Sequence, residues 1–233
     1  MTPVELWLPL GAIAFYLYDS AQLLWHNELL YVRAGKRWRA EGPSDISWLG
    51  RRLYLPNPLL PHRPGFKVHW SLSDGAAAAA PVPAEFLRAL RPIGFITVLL
   101  CGLLLLLPLI SWTLGAGLVM LLLFAVYYSF IFLALGIMLV RRRALQLSGS
   151  ACASLAFDAL ACAPFAINLV RKIALRRGIE GEPVAFAGTQ FAPAERGALR
   201  TLLARKVEEA TASAPPSTEQ RAQIALLLGK LGD

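Results

Sequence analysis

Residues 92–140 read PIGFITVLLCGLLLLLPLISWTLGAGLVMLLLFAVYYSFIFLALGIMLV and contain no Asp, Glu, Lys or Arg. Each half of this stretch is about 20 residues long, the length of an α-helix that crosses the hydrocarbon core of a bilayer. The segment between the halves, TLGAG at 113–117, carries the glycines of a tight turn. The sequence therefore predicts a hairpin of two transmembrane helices, at about 92–112 and 118–140.

The distribution of basic residues orients this hairpin. All 23 Lys and Arg residues lie in 33–91 and 141–230. Short loops rich in Lys and Arg stay in the cytoplasm during membrane insertion. We therefore expect both ends of the hairpin, and nearly all of the polar mass, on the cytoplasmic side.

A further span is predicted at residues 4–24. Trp7 and Trp25 bracket it, and a helix between them is about 27 Å long, close to the thickness of a hydrocarbon core. The leader MTPVE lacks the positive charge of a signal peptide, and a basic cluster follows the span. Residues 1–25 are therefore predicted to be a retained anchor with its N-terminus outside.

Composition agrees with a membrane protein. The chain is 56% hydrophobic and 16% charged, with a net charge of +8. The basic residues flank the apolar runs, which favours anionic headgroups over nucleic acid as their partner. Abundant Ala, Leu and Arg suggest a bacterial source, so the predicted location is the bacterial inner membrane, with a cytoplasmic C-terminus.

Residues 26–75 predict a small β-rich cytoplasmic module. Phe66, Val68, Trp70 and Leu72 alternate with polar residues and are expected to share one buried face. A hairpin is predicted around 34–36 and another strand at 52–55. A module of this size rarely has a sufficient core, so it should pack on the membrane, the C-terminal region or another subunit.

Two proline-containing segments connect this module to the membrane. Residues 56–64, PNPLLPHRP, favour an extended, polyproline-like loop. The P-x-x-P steps in it also match a polyproline ligand, although a structural loop accounts for them as well. Residues 76–91 are predicted to be an Ala/Pro linker that ends in a short helix.

The segment 141–177 is basic at both ends and apolar between. Residues 151–170 are long enough to cross, but a crossing would place one basic cluster outside. We therefore expect a helix in the membrane interface, or a re-entrant hairpin bent near Pro164.

Residues 178–233 are predicted to be a cytoplasmic helical tail, with helices at 193–209 and from Ser217. The fold class is thus mainly α: a polytopic membrane protein of three spans plus this helix, with a small β-rich insertion.

Small and weakly polar residues recur at helical spacing on both halves of the hairpin. Such stripes allow close helix packing in lipid. The two predicted packing faces are Thr97, Cys101, Leu104, Pro108 and Ser111 in the first half, and Ala125, Ser129, Phe132 and Gly136 in the second.

Candidate chemistry centres on Asp158, because an acid in an apolar segment indicates function by default. With Asn168 and Cys162 it would form a polar pocket at the cytoplasmic face. The alternative is a structural ion pair with Arg171, Lys172 or the cluster at 141–143. Nothing in the sequence around Cys162 lowers a thiol pKa.

Other polar groups have structural explanations. Asp19 and Ser20 are expected at the end of the first helix, paired to Arg33 or Lys36. The histidines at 26, 62 and 69 lack a clustered carboxylate or cysteine, and no metal or cofactor is predicted. The expected membrane-interface anchors are Trp7, Trp25, Trp112, Arg141, Arg142, Arg143, Arg171 and Lys172.

These patterns leave three classes of function open. The first is a membrane-anchored scaffold that binds a partner through its β-rich module or C-terminal helices. The second is a membrane-embedded enzyme that acts on a lipid-linked substrate, and the third is a small transport subunit. A deep pocket joining Asp158 to Asp19 or His26 would favour the enzyme, whereas a flat basic face would favour the scaffold.

Overall fold

The computed structural model describes residues 4–25, 27–69, 81–114, 117–179 and 183–212. Predictions for His26, Trp70, Leu72 and the helix from Ser217 fall outside the described residues. The chain is mainly helical with a small β-sheet part. It divides into two compact units. Unit 1 comprises Met1–Ala21, Leu55–Pro64 and Pro83–Ile173, and unit 2 comprises Gln22–Tyr54, Gly65–Val82 and Ala174–Asp233.

Unit 1 is built from helices. They are α1 (Val4–Ser20), α2 (Ala84–Leu114), α3 (Leu118–Val140), α4 (Gly149–Ala161), a 3₁₀ helix (Ala163–Asn168) and the first residues of α5 (Leu169–Arg177). Of the described helices, α2 and α3 are long and apolar enough to cross a membrane. Their most apolar windows are 39% and 22% buried, respectively. Most of each helix therefore exposes apolar side chains, unlike the core helix of a soluble protein.

The helix at the N-terminus is shorter than the predicted span. The prediction extended it to Leu24, but α1 ends at Ser20 after 17 residues. Residues 22–24 instead form a strand, because each pairs with a residue of 52–54. Trp25 therefore lies beyond the helix, and the three-span arrangement is not confirmed by the helix lengths.

The two predicted packing stripes have opposite outcomes. On α2, Thr97, Cys101, Leu104 and Ser111 are buried as expected. On α3 the stripe prediction is wrong: its four residues are all exposed. The buried face of α3 carries Tyr127, Ile131, Ala134, Leu135 and Met138. The predicted stripe therefore lies on the opposite side of α3 from its buried face.

The apolar segment 151–170 is a broken helix. α4 is 13 residues long, and its N-cap Ser148 accepts a hydrogen bond from the backbone N–H of Ala151 at 3.1 Å. The backbone becomes extended at Cys162, and Pro164 lies in the first turn of the following 3₁₀ helix. A helix of this length is too short to cross a hydrocarbon core. A break in the helix near Pro164, which was part of one of the two predicted alternatives, is thus present.

The proline-rich segment 55–64 belongs to unit 1 and is not extended. The backbone N–H of Leu60 donates to the carbonyl of Asn57, and that of Arg63 donates to the carbonyl of Leu60, both at 3.2 Å. These bonds define two consecutive β-turns with Pro58 and Pro61 at their second positions. Proline is favoured there because its fixed φ matches the turn. The polyproline-like conformation was therefore the wrong prediction.

The described residues of unit 2 form two three-stranded antiparallel sheets. One has the order β1–β5–β4 and the other β3–β2–β6. The strands are β1 (Gln22–Leu24), β2 (Glu28–Ala34), β3 (Arg37–Glu41), β4 (Ser47–Trp48), β5 (Arg51–Tyr54) and β6 (Gly65–His69). The predicted hairpin joins β2 and β3, with Gly35 at φ 64° in its turn. Phe66 and Val68 share a fully buried face, as the alternation predicted.

The C-terminal helices α6 (Pro183–Gln190) and α7 (Pro193–Ala212) complete the core of unit 2. The Tyr31 hydroxyl donates to the carbonyl of Pro183 at 3.0 Å. The Phe186 ring lies 5.7 Å from the Tyr31 ring and 5.1 Å from the Trp38 ring, centroid to centroid. The small sheet module thus obtains its core from the C-terminal region, one of the three alternatives predicted.

Candidate functional site

The polar residues singled out in unit 1 meet where α1 ends. The Ser20 hydroxyl lies 2.8 Å from the Tyr16 carbonyl oxygen and 3.1 Å from Oδ1 of Asn168. Asn168 is the last residue of the 3₁₀ helix and is fully buried. This contact brings together two residues that are far apart in the sequence. Asp19 and Ser20 do mark a helix end, as predicted.

Asn168 makes several hydrogen bonds within the protein. Its Oδ1 accepts from Nη1 of Arg171 at 3.0 Å and lies 3.1 Å from the Ser20 hydroxyl. Its Nδ2 donates to Oδ2 of Asp19 at 3.0 Å and to the Tyr16 carbonyl at 3.3 Å. An amide offers two donors, and both donors of Asn168 are used by protein oxygens. Asn168 is therefore positioned to join helices rather than to bind a ligand.

Arg171 secures the two-turn loop 55–64. Its Nη2 donates to the carbonyls of Asn57 at 2.6 Å and Leu60 at 3.2 Å. The Tyr16 hydroxyl and the Cys101 thiol both donate to the carbonyl of Pro58. Proline-containing turns leave carbonyls without ladder partners, and these three side chains satisfy them. The sequence placed Arg171 among the headgroup-facing anchors, whereas its guanidinium is buried and bonds to protein oxygens.

Lys172 is shared by two carboxylates. Its Nζ lies 2.8 Å from Oδ1 of Asp19 and 3.4 Å from Oδ2 of Asp158. The same ammonium lies 4.8 Å from the Phe165 ring centroid. The structural ion pair predicted for Asp158 is thus present. The prediction for Asp19 was wrong, because its partner is Lys172 and not Arg33 or Lys36.

The three candidate catalytic residues occupy different environments. Asp158 is partly open, its side chain 39% exposed, whereas Asn168 is enclosed. Burial raises the pKa of the Cys162 thiol, the effect of its neighbours being smaller, which disfavours the thiolate. A neutral thiol is a poor nucleophile. The geometry therefore offers an acid next to a cation, but no activated nucleophile among the three candidates.

The histidines do not form a metal site among the described residues. Within that part of the chain, no three His, Cys, Asp or Glu side chains are close enough together to hold a metal ion. His62 lies in the loop of unit 1, and burial, together with Arg63 and Arg171, lowers its pKa. His69 instead lies 3.0 Å from Oε1 of Glu28 in unit 2.

Glu28 forms a second ion cluster, which the sequence analysis missed. Lys67 and His69 both approach its carboxylate, at 3.2 and 3.0 Å, and the N–H of Trp25 donates to it at 3.0 Å. Burial acts to raise the Glu28 pKa, but these bonds outweigh it and hold the pKa below its usual range. The alternation of β6 places Lys67 and His69 on one side of the strand, and this pattern could have predicted that the two side chains share a partner.

A cleft in unit 2 carries several cations. It has a volume of about 440 Å³ and is lined by Gly42, Pro43, Arg52, Ala198, Thr201, Leu202, Arg205 and Lys206. Arg205 pairs with Asp45 at 2.8 Å, and Lys206 donates to the Glu28 carbonyl at 3.2 Å. These cations are therefore engaged by the protein, and none of the catalytic candidates lines this cleft.

The remaining predicted anchors are exposed. Trp7, Trp25 and Trp112 present large surfaces to the surroundings, and Arg141, Arg142 and Arg143 are exposed after α3. Interfacial tryptophans and flanking cations have this exposure in membrane proteins. Comparisons with protein-family models, curated proteins and solved structures give no match to this chain.

Proposed function

We propose that this chain is a multi-pass protein of the bacterial inner membrane that acts as a scaffold. In this proposal α1, α2 and α3 each cross, with the N-terminus outside. Unit 2 and the segment 141–177 then lie on the cytoplasmic side, where the exposed side chains of Arg141, Arg142 and Arg143 face anionic lipid. The proposed partners are these lipids and a protein that binds unit 2.

The observation that carries the membrane assignment is the apolar surface of the helices. α3 exposes Leu118, Leu121, Leu122, Phe124, Phe132, Leu133 and Val140, among others. Soluble proteins rarely expose apolar patches of such size, whereas lipid chains cover them without cost. α1 likewise exposes Trp7, Leu8, Phe15 and Tyr18. It is about 26 Å long, which a small local thinning of the bilayer accommodates.

A scaffold is favoured over an enzyme by the way the polar groups pair. Both donors of Asn168 are used by the protein, Asp19 is divided between Lys172 and Asn168, and the pKa of the Cys162 thiol is raised. What remains accessible is the carboxylate of Asp158, which is already paired. An enzyme site would require at least one of these groups to be free for a substrate.

Cysteine labelling tests the topology. Single cysteines at Thr2, Gly115 and Ser213, in a background without native cysteines, are treated with a membrane-impermeant maleimide in intact spheroplasts. The first two should react and the third should react only after lysis. Labelling at position 213 in intact spheroplasts would contradict the three-crossing arrangement. A cysteine at position 2 that does not react would mean that α1 does not cross the membrane.

Complementation separates the scaffold from the enzyme. We expect Asp158→Asn protein, produced at normal abundance, to restore the phenotype of a deletion strain. Normal abundance without restoration would instead favour an enzyme that uses this carboxylate. Asp45→Asn is the matched control, because Asp45 forms an exposed ion pair in unit 2.

A further inference from the structure

The turn between β4 and β5 contains an unexpected residue. Ser47 pairs with Arg52 and Trp48 pairs with Arg51, so Leu49 and Gly50 form a two-residue loop. Both have positive φ, 48° for Leu49 and 75° for Gly50. Two-residue hairpin loops with this geometry strongly prefer Asn, Asp or Gly, because other side chains are strained there. Backbone preference therefore does not account for a leucine at position 49.

Solvent exposure does not favour a leucine at position 49 either. Leu49 is 88% exposed, and its neighbours Trp48 and Ile46 are 66% and 62% exposed. We call these three residues the β4–β5 tip. A leucine that is both strained and exposed is disfavoured twice in water, and strained residues cluster at sites of interaction. The tip thus has the properties of a surface that is covered by an apolar environment.

The residues around the tip indicate what covers it. Arg51 lies opposite Trp48, and its guanidinium carbon is 4.3 Å from the ring centroid of Trp25. Residues 46–55, ISWLGRRLYL, contain two arginines and no acid. Tryptophan rings favour the headgroup level of a bilayer, and arginine extends its charge to anionic phosphates while its stem lies on apolar surface. This combination fits a lipid surface better than an acidic protein.

The sheet β1–β5–β4 is joined directly in the chain to segments of unit 1 at both of its ends. β1 begins at Gln22, two residues after the end of α1, and β5 ends at Tyr54, immediately before the loop 55–64. We propose that the β4–β5 tip inserts into the anionic cytoplasmic leaflet, so that unit 2 carries its own lipid-binding element. This inference rests on the membrane attachment proposed above.

The test uses the full chain reconstituted in vesicles of phosphatidylcholine with phosphatidylglycerol. The native cysteines are replaced by alanine, and an environment-sensitive fluorophore is attached to a cysteine at Leu49. The control is Lys36→Cys, in the turn between β2 and β3, which is an exposed hairpin turn without apolar residues. A cysteine at Leu122, exposed on α3, reports on the membrane attachment itself.

We expect a blue shift at Leu49 and quenching by lipids that carry a shallow spin label, with neither effect at Lys36. Quenching at Leu122 but not at Leu49 would overturn this inference and leave the membrane assignment intact. No quenching at Leu122 would overturn both. A blue shift at Leu49 without lipid quenching would mean that protein covers the tip, which also contradicts lipid insertion.

A substitution that favours folding provides a second measurement. Leu49→Asn suits the turn geometry and should leave the hairpin formed. With the fluorophore moved to Ile46→Cys, we expect Leu49→Asn to reduce lipid quenching markedly while the thermal midpoint stays the same or rises. Unchanged quenching at Ile46 would contradict insertion through Leu49.

Discussion

Among the described residues, each unit has an ion cluster with a shared central group, and the charge of that central group differs between the units. In unit 1 a cation, Lys172, is shared by the carboxylates of Asp19 and Asp158. In unit 2 a carboxylate, Glu28, is shared by the ammonium of Lys67 and the imidazole of His69. Each cluster joins residues that are distant in sequence, so each fixes the path of the chain.

The clusters differ in the solvent exposure of the side chains that surround the shared central group. The side chains of Lys67 and His69 are 30% and 64% exposed. Asp19 has only 11% exposure and is also held by Asn168. When the shared group is removed, charges near water recover hydration, whereas enclosed charges do not. The cost of losing the centre should therefore be larger in unit 1.

The largest effect is expected for Lys172→Met, which keeps the apolar stem and removes the charge. It leaves two carboxylates facing each other, one of them enclosed. We expect the free energy of unfolding to fall by about 3 kcal/mol, the lower end for breaking a buried pair. Unfolding of the purified protein in mixed micelles by sodium dodecyl sulfate measures this. Glu28→Gln, which removes the centre of the other cluster, is the comparison, and an equal loss there would remove the distinction between the clusters.

A smaller effect is expected for Glu28→Gln, which removes the centre of the other cluster and keeps its shape. Lys67 and His69 then retain access to water, and the amide still accepts from the N–H of Trp25. We expect a loss of about 1–2 kcal/mol, as for a hydrogen bond to a charged group. The same unfolding measurement applies. A loss larger than that of Lys172→Met would reverse the comparison.

The Glu28 cluster should also respond to acid. Its folded-state pKa lies below the usual 4.5, so the ionised form stabilises unit 2 above that pH. This stabilisation is lost as the pH falls below about 4.5, because the folded protein must then take up a proton at Glu28. Thermal midpoints between pH 6 and pH 3 should fall more steeply in the wild type than in Glu28→Gln. Parallel curves for the two proteins would contradict the assignment.

The smallest effect is expected for Asp158→Asn. Its carboxylate is partly open to the surroundings and lies at 3.4 Å from Lys172, which keeps its closer partner Asp19. Ion pairs of this kind contribute at most about 1 kcal/mol. Asp19→Asn provides the contrast, since it removes the 2.8 Å contact, and it should cost more. A larger loss of unfolding free energy in Asp158→Asn than in Asp19→Asn would contradict the argument that the enclosed carboxylate contributes more to stability.

Local sequence patterns predicted the elements better than the contacts. The period-two alternation placed Phe66 and Val68 on a buried face, and the stripe on α2 was found correctly. On α3 the same spacing failed, because periodicity defines a face without showing which side a neighbour covers. Lipid tolerates apolar and small residues on either side of a helix. The hydrophobic pattern of such a helix therefore does not show which face packs against the protein.

The candidate site was harder to predict because it depends on distant contacts. Asp158 and Lys172 are close in the chain, and their pair was among those expected. The partner of Asp19 lies more than 150 residues away, beyond any local pattern. The spacing of the prolines was a better guide to the loop 55–64. Pro58 and Pro61 are three residues apart, and the φ of proline suits the second position of a turn, so this spacing predicts two turns.

The interleaving of the two units sets an order for biogenesis. Unit 2 needs Phe66 and Phe186 in the same core, but all of α2 and α3 is synthesised between them. At about 5–20 residues per second, the ribosome takes on the order of ten seconds to cover that interval. Throughout this time the sheet of the nascent chain lacks its covering helices. The core of unit 2 therefore cannot close before α2 and α3 have been synthesised, and a factor that shields the strands until then is expected to raise the yield of folded protein.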